Sequence, residues 1–287
     1  ASVLGGVCNN SGGALVRRGP AYTELALYAR VNDDGKLELI NHLGIHLGDT
    51  PEEILENLQH QKYAPTDVKQ EEHRCASDQH YSHDVRQVDE DTPARFNADP
   101  TRLFEASGSA GKVCVFAVRL DTFDKIPSQV FYVGTNSHDD LTEIRRFLLK
   151  DLPNVPIAGE YIHRVAYDIG AEYGKDTFMF IEKFGTAKVP AAFAMKDKVD
   201  GHLQKFGLRG LSDKILQLVT KFLPSHLPKR MNEFRDLYEH HLVLRIENQD
   251  VEQVEKFFAD YFKQHTTGSF FLCDVDEGRK AFLHRFA

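Results

Sequence analysis

The chain has 287 residues, a formal net charge of −8, 41% hydrophobic residues and 27% charged residues. This is the composition of a folded globular protein with one large or two ordinary domains, and the acidic balance argues against nucleic acid as the main partner. No uncharged apolar run reaches the roughly 18 residues that span a bilayer, and Cys8, Cys75, Cys114 and Cys273 form no CxxC pair, which points to reduced thiols.

In chain order, residues 1–13 hold four glycines, a serine pair and an asparagine pair and read as a glycine loop. Residues 26–31 and 37–40 flank Asn32-Asp33-Asp34-Gly35, a hairpin turn signal. Thr50-Pro51-Glu52-Glu53 is a capping box that starts a helix running to about Gln61. Residues 62–100 are polar and predict a long excursion. Val113–Val118 is a continuous apolar run and predicts a buried strand, with Ser107-Gly108-Ser109-Ala110-Gly111 placed before it as where a backbone nears a ligand.

Beyond residue 120 the pattern predicts a strand at 129–135, a helix near 138–150, a helix near 159–173 and a strand at 176–182. A strand at 241–246, a helix at 250–264, a strand at 269–273 and a last helix follow. Two strand–helix–strand sets predict an antiparallel sheet faced by helices, an α+β fold. The segment between them, 186–235, is punctuated by Pro190, Pro224 and Pro228 and carries 10 Lys/Arg against 4 Asp/Glu, whereas residues 47–105 carry 14 Asp/Glu against 6 Lys/Arg. A net of about +6 in an acidic chain calls for an anionic partner.

Several residue sets could carry chemistry. Successive N–H groups of the opening glycine loop can cradle a pyrophosphate, and Arg17-Arg18 with Tyr22 would bring cations and a ring beside it. His163-Arg164 and His240-His241 are candidates for proton and carboxylate chemistry, with no base assigned. His73, Cys75, His80 and His83 offer metal-ligand types, but their setting is a polar acidic loop, so no metal site is expected. In the basic segment Lys188, Lys196, Lys198, Lys205, Arg209, Lys214, Lys221, Lys229 and Arg230 alternate with apolar residues, and Leu211, Ile215, Leu218, Val219 and Phe222 recur at helical spacing. Such a strip can lie on a membrane surface with its cations toward anionic headgroups. The opening in mid-motif without methionine, and a final helix without cap or stop, give the expectation of an internal piece of a longer enzyme.

Ala1–Gly13, Arg18–Glu24, Asn41-His42-Leu43-Gly44-Ile45, 91–100, Gly174–Phe178, Tyr238-Glu239-His240-His241-Leu242 and Lys280–Phe286 occur in order. In these blocks the chain resembles the quinone-dependent, FAD-containing D-lactate dehydrogenases of bacterial respiratory membranes, within the vanillyl-alcohol-oxidase/PCMH-type flavoproteins. The resemblance implies the C-terminal part of a PCMH-type FAD-binding domain over 1–120. It implies an antiparallel-sheet cap domain over 121–185 and 236–287, with a basic helical membrane-binding insertion over 186–235. It implies FAD contacts at Ser2, Gly12 and Val115, D-lactate and a membrane quinone as reactants, an anionic lipid partner, and a peripheral place on the cytoplasmic side of the inner membrane. A related FAD-dependent dehydrogenase of another D-2-hydroxy acid, such as 2-hydroxyglutarate, and a non-catalytic lipid-binding module are the alternatives.

Overall fold

The computed structural model describes residues 2–69, 73–90, 102–205, 207, 210 and 225–285. The chain divides into two compact units: 1–126 with 148–155, and 127–147 with 156–287.

The first unit is built on a three-stranded antiparallel sheet, β1 (Ala26–Val31), β2 (Leu37–Asn41) and β3 (Cys114–Val118), in the order β2-β1-β3. The hairpin forms as its turn signal dictates, with Val31 opposite Leu37 and Gly35 at φ +77°. The opening residues correct the expectation of a loop. Val3–Cys8 forms a short helix, α1, because Ser2 caps it by accepting a hydrogen bond from the Gly5 amide at 3.0 Å. Val7 is its one buried side chain, packed with Tyr28, Ala106 and Val115. α2 (Pro51–Gln59) starts at the Thr50 capping box, with both reciprocal bonds to Glu53 made. A one-turn helix, α3 (Tyr81–Asp84), interrupts the polar excursion.

β3 is also a correction. The apolar run is an edge strand, not a buried one, with Cys114 exposed and Phe116 41% exposed. Its pairing with β1 slips between Leu27 and Tyr28, which leaves Phe116 without a partner residue. Such a bulge turns a side chain outward.

The second unit carries a four-stranded, wholly antiparallel sheet of β4 (Ser128–Thr135), β5 (Ala158–His163), β6 (His240–Glu247) and β7 (Gly268–Leu272), in the order β5-β6-β4-β7. Two strand–helix–strand halves build it: β4 to β5 through α4 (His138–Arg146), and β6 to β7 through α9 (Val251–Gln264). This is a split βαβ arrangement. Between β5 and β6 the chain adds α5 (Arg164–Tyr173), α6 (Lys175–Phe184), α7 (Val189–Lys205) and α8 (Lys229–Leu237), and α10 (Val275–His284) follows β7.

The expected helix near 159–173 and strand at 176–182 are corrected. Residues 158–163 pair with β6, and His163 caps α5 by accepting the Val165 amide proton at 3.1 Å. Residues 176–182 lie in α6, where Phe178 is buried and Phe180 meets Phe184 one turn on. A short apolar run does not distinguish strand from helix by itself.

Period-2 alternation along β4 sends Val130 and Tyr132 to one face and Phe131 and Val133 to the other. The first pair packs with Tyr167 of α5, Phe178 of α6, Met231 of α8 and Ala281 of α10. On the opposite face Phe131 meets Phe258 of α9 and Phe270. Gly134 is glycine for a steric reason: a Cβ there would lie 2.3 Å from the Tyr238 ring and 2.8 Å from the Phe234 ring. Asp140 of α4 is 3% exposed and accepts hydrogen bonds from Thr135, from Thr267 at 2.6 Å and from Tyr261 at 2.9 Å.

Replacing Asp140 by Ala strips three hydroxyls of a charged acceptor and is expected to cost about 3 kcal/mol. Chemical denaturation checks this, with Asp140→Asn expected to lose less because it keeps one acceptor oxygen.

Candidate functional site

In the first unit α1 packs against β3, which brings the elements carrying Ser2 and Val115 together. The loop before β3 fastens the end of α1: the Gly108 amide donates to the Val7 carbonyl at 3.1 Å and the Ala110 amide to the Cys8 carbonyl at 3.0 Å. Glu105, Gly108, Ala110 and Gly111 all have positive φ. The left-handed backbone expected of the opening glycines therefore lies in this loop. Ser107 holds it to the strand side, donating to the Thr23 carbonyl at 2.7 Å and accepting from the Thr23 amide at 3.0 Å.

Ser2 and Gly12 stay exposed, and a Cβ on Gly12 or Gly13 would meet no atom within 4 Å. Val115 packs its side chain inward on an edge strand, which, among the described residues, leaves one side of the β3 backbone unpaired by a strand. Arg17 and Arg18 have structural partners instead of facing the glycines: Arg17 Nε donates to the Val155 carbonyl at 2.9 Å, and Arg18 lies 4.3 Å over the Phe123 ring. Tyr22 is buried and donates to Glu24 at 2.7 Å.

In the second unit the two candidate histidine pairs meet. His163 and His240 are cross-strand partners on β5 and β6, with ring centroids 5.5 Å apart. His138, at the start of α4, lies against His240 with ring centroids 4.2 Å apart and planes tilted by 49°. The Tyr161 hydroxyl is 2.8 Å from His240 Nδ1, and His163 Nε2 is 3.1 Å from Glu239. His163 Nδ1 already accepts the Val165 amide proton, so Nε2 carries the proton that Glu239 receives. Burial, then the neighbouring His138, holds His240 below the usual imidazole range. That favours the neutral imidazole of His240, whose Nδ1 can accept the Tyr161 hydroxyl proton in a hydrogen bond. Sequence reasoning missed Tyr161 and His138; the signal for Tyr161 was its place two residues before His163 on one strand face.

His241 points the other way, as its neighbour on a strand must. It is fully buried against Tyr132 and Tyr167. Burial lowers it to about 4, with the Tyr238 backbone opposing. His226, against Phe178, is lowered to about 4 by burial and then by His284, and burial lowers His284 too.

The basic insertion has a different character. α7 runs 17 residues and buries none of them. Phe193, Met195 and Val199 are 53%, 68% and 49% exposed, beside exposed Lys188, Lys198 and Lys205. Lys196 pairs with Asp200 at 3.1 Å and Lys229 with Glu233 at 3.4 Å. Arg230 is engaged within the unit, bonded to Glu277 and lying 4.2 Å over the Phe271 ring. Arg209, Lys214, Lys221 and the strip Leu211, Ile215, Leu218, Val219 and Phe222 lie outside the described residues, as does the block 91–100. Among the described residues no helix is long and apolar enough to cross a membrane, and no histidine, cysteine or acidic cluster is arranged to hold a metal ion.

A family model described as D-lactate dehydrogenase, membrane binding, matches residues 130–287. Over its whole length the chain is 54% identical to a quinone-dependent D-lactate dehydrogenase of Escherichia coli (strain K12), covering 50% of that protein. It is likewise 52% identical to one of Haemophilus influenzae, covering 51%, and 46% identical to one of Corynebacterium glutamicum, covering 50%. The chain thus spans about half the length of the curated relatives it matches.

The buried histidines set a pH dependence. An unfolded histidine titrates near 6.5, whereas His226 and His241 do so at about 4 in the fold. Between those values the unfolded chain binds more protons, so stability falls as pH drops from about 6.5 toward 4 and gains nothing from these groups above it. The thermal midpoint is expected to fall by several degrees over that window, each 1 kcal/mol being worth roughly 2–4 °C in a protein of this size. In His226→Phe the slope should flatten in calorimetry.

Proposed function

Because the chain belongs to the D-lactate dehydrogenase family defined by its membrane-binding domain, we propose that it forms part of an FAD-dependent enzyme that oxidises D-lactate to pyruvate and reduces a membrane quinone. One observation carries this: identity of 46–54% to three quinone-dependent D-lactate dehydrogenases extends over the entire chain.

In this assignment residues 1–120 are the C-terminal part of a PCMH-type FAD-binding domain. Residues 121–185 and 236–287 are the two parts of the cap domain, and 186–235 the membrane-binding insertion. Ser2, Gly12 and Val115 hold the cofactor, Ser2 and Gly12 from their open positions beside α1 and Val115 through the backbone of an edge strand. The open space over Gly12 and the unpaired side of β3 fit an extended ligand. Bound FAD supplies the acceptor for the hydride on the lactate α-carbon.

The enzyme sits peripherally on the cytoplasmic side of the inner membrane. An isolated helix of 17 residues is only marginally stable in water, and α7 has no buried side chain to hold it. A lipid interface gives Phe193, Met195 and Val199 an apolar medium while Lys188, Lys196, Lys198 and Lys205 face anionic headgroups. Each basic residue near such a surface contributes about 1 kcal/mol. Arg209, Lys214, Lys221, Lys229 and Arg230 complete the basic set, with Arg230 also bracing the cap.

The full-length protein is expected to be yellow, to bleach near 450 nm on anaerobic addition of D-lactate, and to regain its colour with a quinone. A colourless protein, or one that D-lactate leaves oxidised, overturns the assignment. Changing Lys188, Lys196, Lys198 and Lys205 to Glu should weaken binding to anionic vesicles roughly a thousandfold, measured by co-sedimentation at low salt, while D-lactate oxidation with a soluble acceptor is retained.

A further inference from the structure

We propose that Glu105 is a positioning residue for the flavin site: bonded to His42, it holds the loop that ties α1 to β3. This rests on the FAD assignment above. The loop, residues 105–111, leads into β3, which carries Val115, and its Gly108 and Ala110 amides fasten the end of α1, which Ser2 caps. Whatever fixes the loop therefore fixes the spacing of two of the three proposed cofactor contacts.

Glu105 stands at the head of this loop, at φ +49°. The left-handed region suits glycine and is tolerated by asparagine and aspartate, but a longer side chain there is strained. Such strain persists where the surroundings over-determine it, and it collects at ligand clamps. Glycine would satisfy this backbone at no steric cost, so what glutamate adds is its carboxylate.

That carboxylate is committed on the inside. The Glu105 side chain is only 11% exposed, and its Oε1 accepts a hydrogen bond from His42 Nδ1. The Arg74 guanidinium, which can only donate, lies 3.4 Å from His42 Nε2, so Nε2 is the acceptor and Nδ1 carries the proton that Glu105 receives. The Tyr28 hydroxyl faces the same carboxylate; burial, then the Glu105 charge, raises Tyr28 and keeps that hydroxyl a donor. The imidazole is itself anchored to the sheet. His42 directly follows β2, its amide donates to the Ala26 carbonyl of β1 at 2.9 Å, and its ring meets Tyr28 edge-on at 6.4 Å.

A bond to an ionised carboxylate is stronger than a neutral one, and this one runs from the sheet to the first residue of the loop. The next residues continue the attachment: Ala106 is fully buried with Val7 and Val115, and Ser107 is bonded twice to Thr23. The Glu105–His42 pair thus sets where the loop starts, and α1 and β3 take their places from it.

The test uses the full-length protein with Glu105→Gly, Glu105→Gln and His42→Gln, and with Glu105→Gly and His42→Gln combined. Glu105→Gly removes the carboxylate and relieves the backbone, so a loss there belongs to the carboxylate. Apoprotein is titrated with FAD, and hydrogen exchange is followed without the cofactor. The Kd for FAD is expected to rise about tenfold in Glu105→Gly and in His42→Gln, less in Glu105→Gln, and no further in the combined variant, because the two residues act as one. The Gly108 and Ala110 amides should exchange faster in the same variants, while β1 and β2 keep the wild-type rate. Equal FAD affinity in all variants, or additive losses in the combined one, overturns the proposal. Faster exchange of β1 together with the loop also overturns it, since the pair would then support the unit as a whole. A wild-type apoprotein that takes up no FAD overturns the cofactor assignment and the flavin role with it, while exchange of the loop still decides whether the pair holds it.

Discussion

The antiparallel pairing of β4 with β6 is the constraint on which the second unit depends. Eight residue pairs, Ser128 with Glu247 through Thr135 with His240, fix which side chain goes to which face. A slip of one residue would exchange the two faces entirely. Because both faces are covered, the cost would fall on two cores at once: the cluster of Tyr132, Tyr167, Phe178 and Met231, and the aromatic packing of Phe131, Phe258 and Phe270. The same register separates His240, 4% exposed among the imidazoles of His138 and His163, from His241, fully buried against Tyr132 and Tyr167 on the opposite face.

This register also explains how the fold tolerates so long an insertion. β5 and β6 are sheet neighbours, so the chain leaves and re-enters one edge of the scaffold. α5, α6 and α8 supply the apolar cover for that face and are paid for by its core. α7 contributes nothing buried. Electrostatics follow the same division. Arg230 and Arg235 are bound to Glu277 and Asp168 within the unit, whereas Lys188, Lys198 and Lys205 stand on exposed ground.

Much of this was legible in the sequence where local chemistry and tertiary demand agree. The Thr50 capping box, the Asn32–Gly35 turn, the later strand–helix–strand set and the first strand and helix of the earlier one stand as their residues imply. The errors arose where they disagree. The opening glycines were read as a loop, because glycine lowers helix propensity, but the Ser2 cap and the burial of Val7 are enough to fold one short helix. Residues 113–118 read as a buried strand because period alone does not report a bulge, and the bulge is what exposes Phe116. Residues 176–182 read as a strand because four consecutive apolar residues fit either period. Of the candidate site, the histidine pairs were visible but not their meeting, which depends on the β5–β6 register.

The central claim is that the sheet is a fixed scaffold and that the exposed basic helix is the surface through which the enzyme meets lipid. Hydrogen exchange of the full-length protein, with and without anionic vesicles, tests it most directly. Amides of Val189–Lys205 should exchange rapidly in solution and gain protection on vesicles, with high salt reversing the gain, while β4 and β6 stay equally protected throughout. Unchanged exchange across Val189–Lys205 on vesicles that have captured the protein would contradict it.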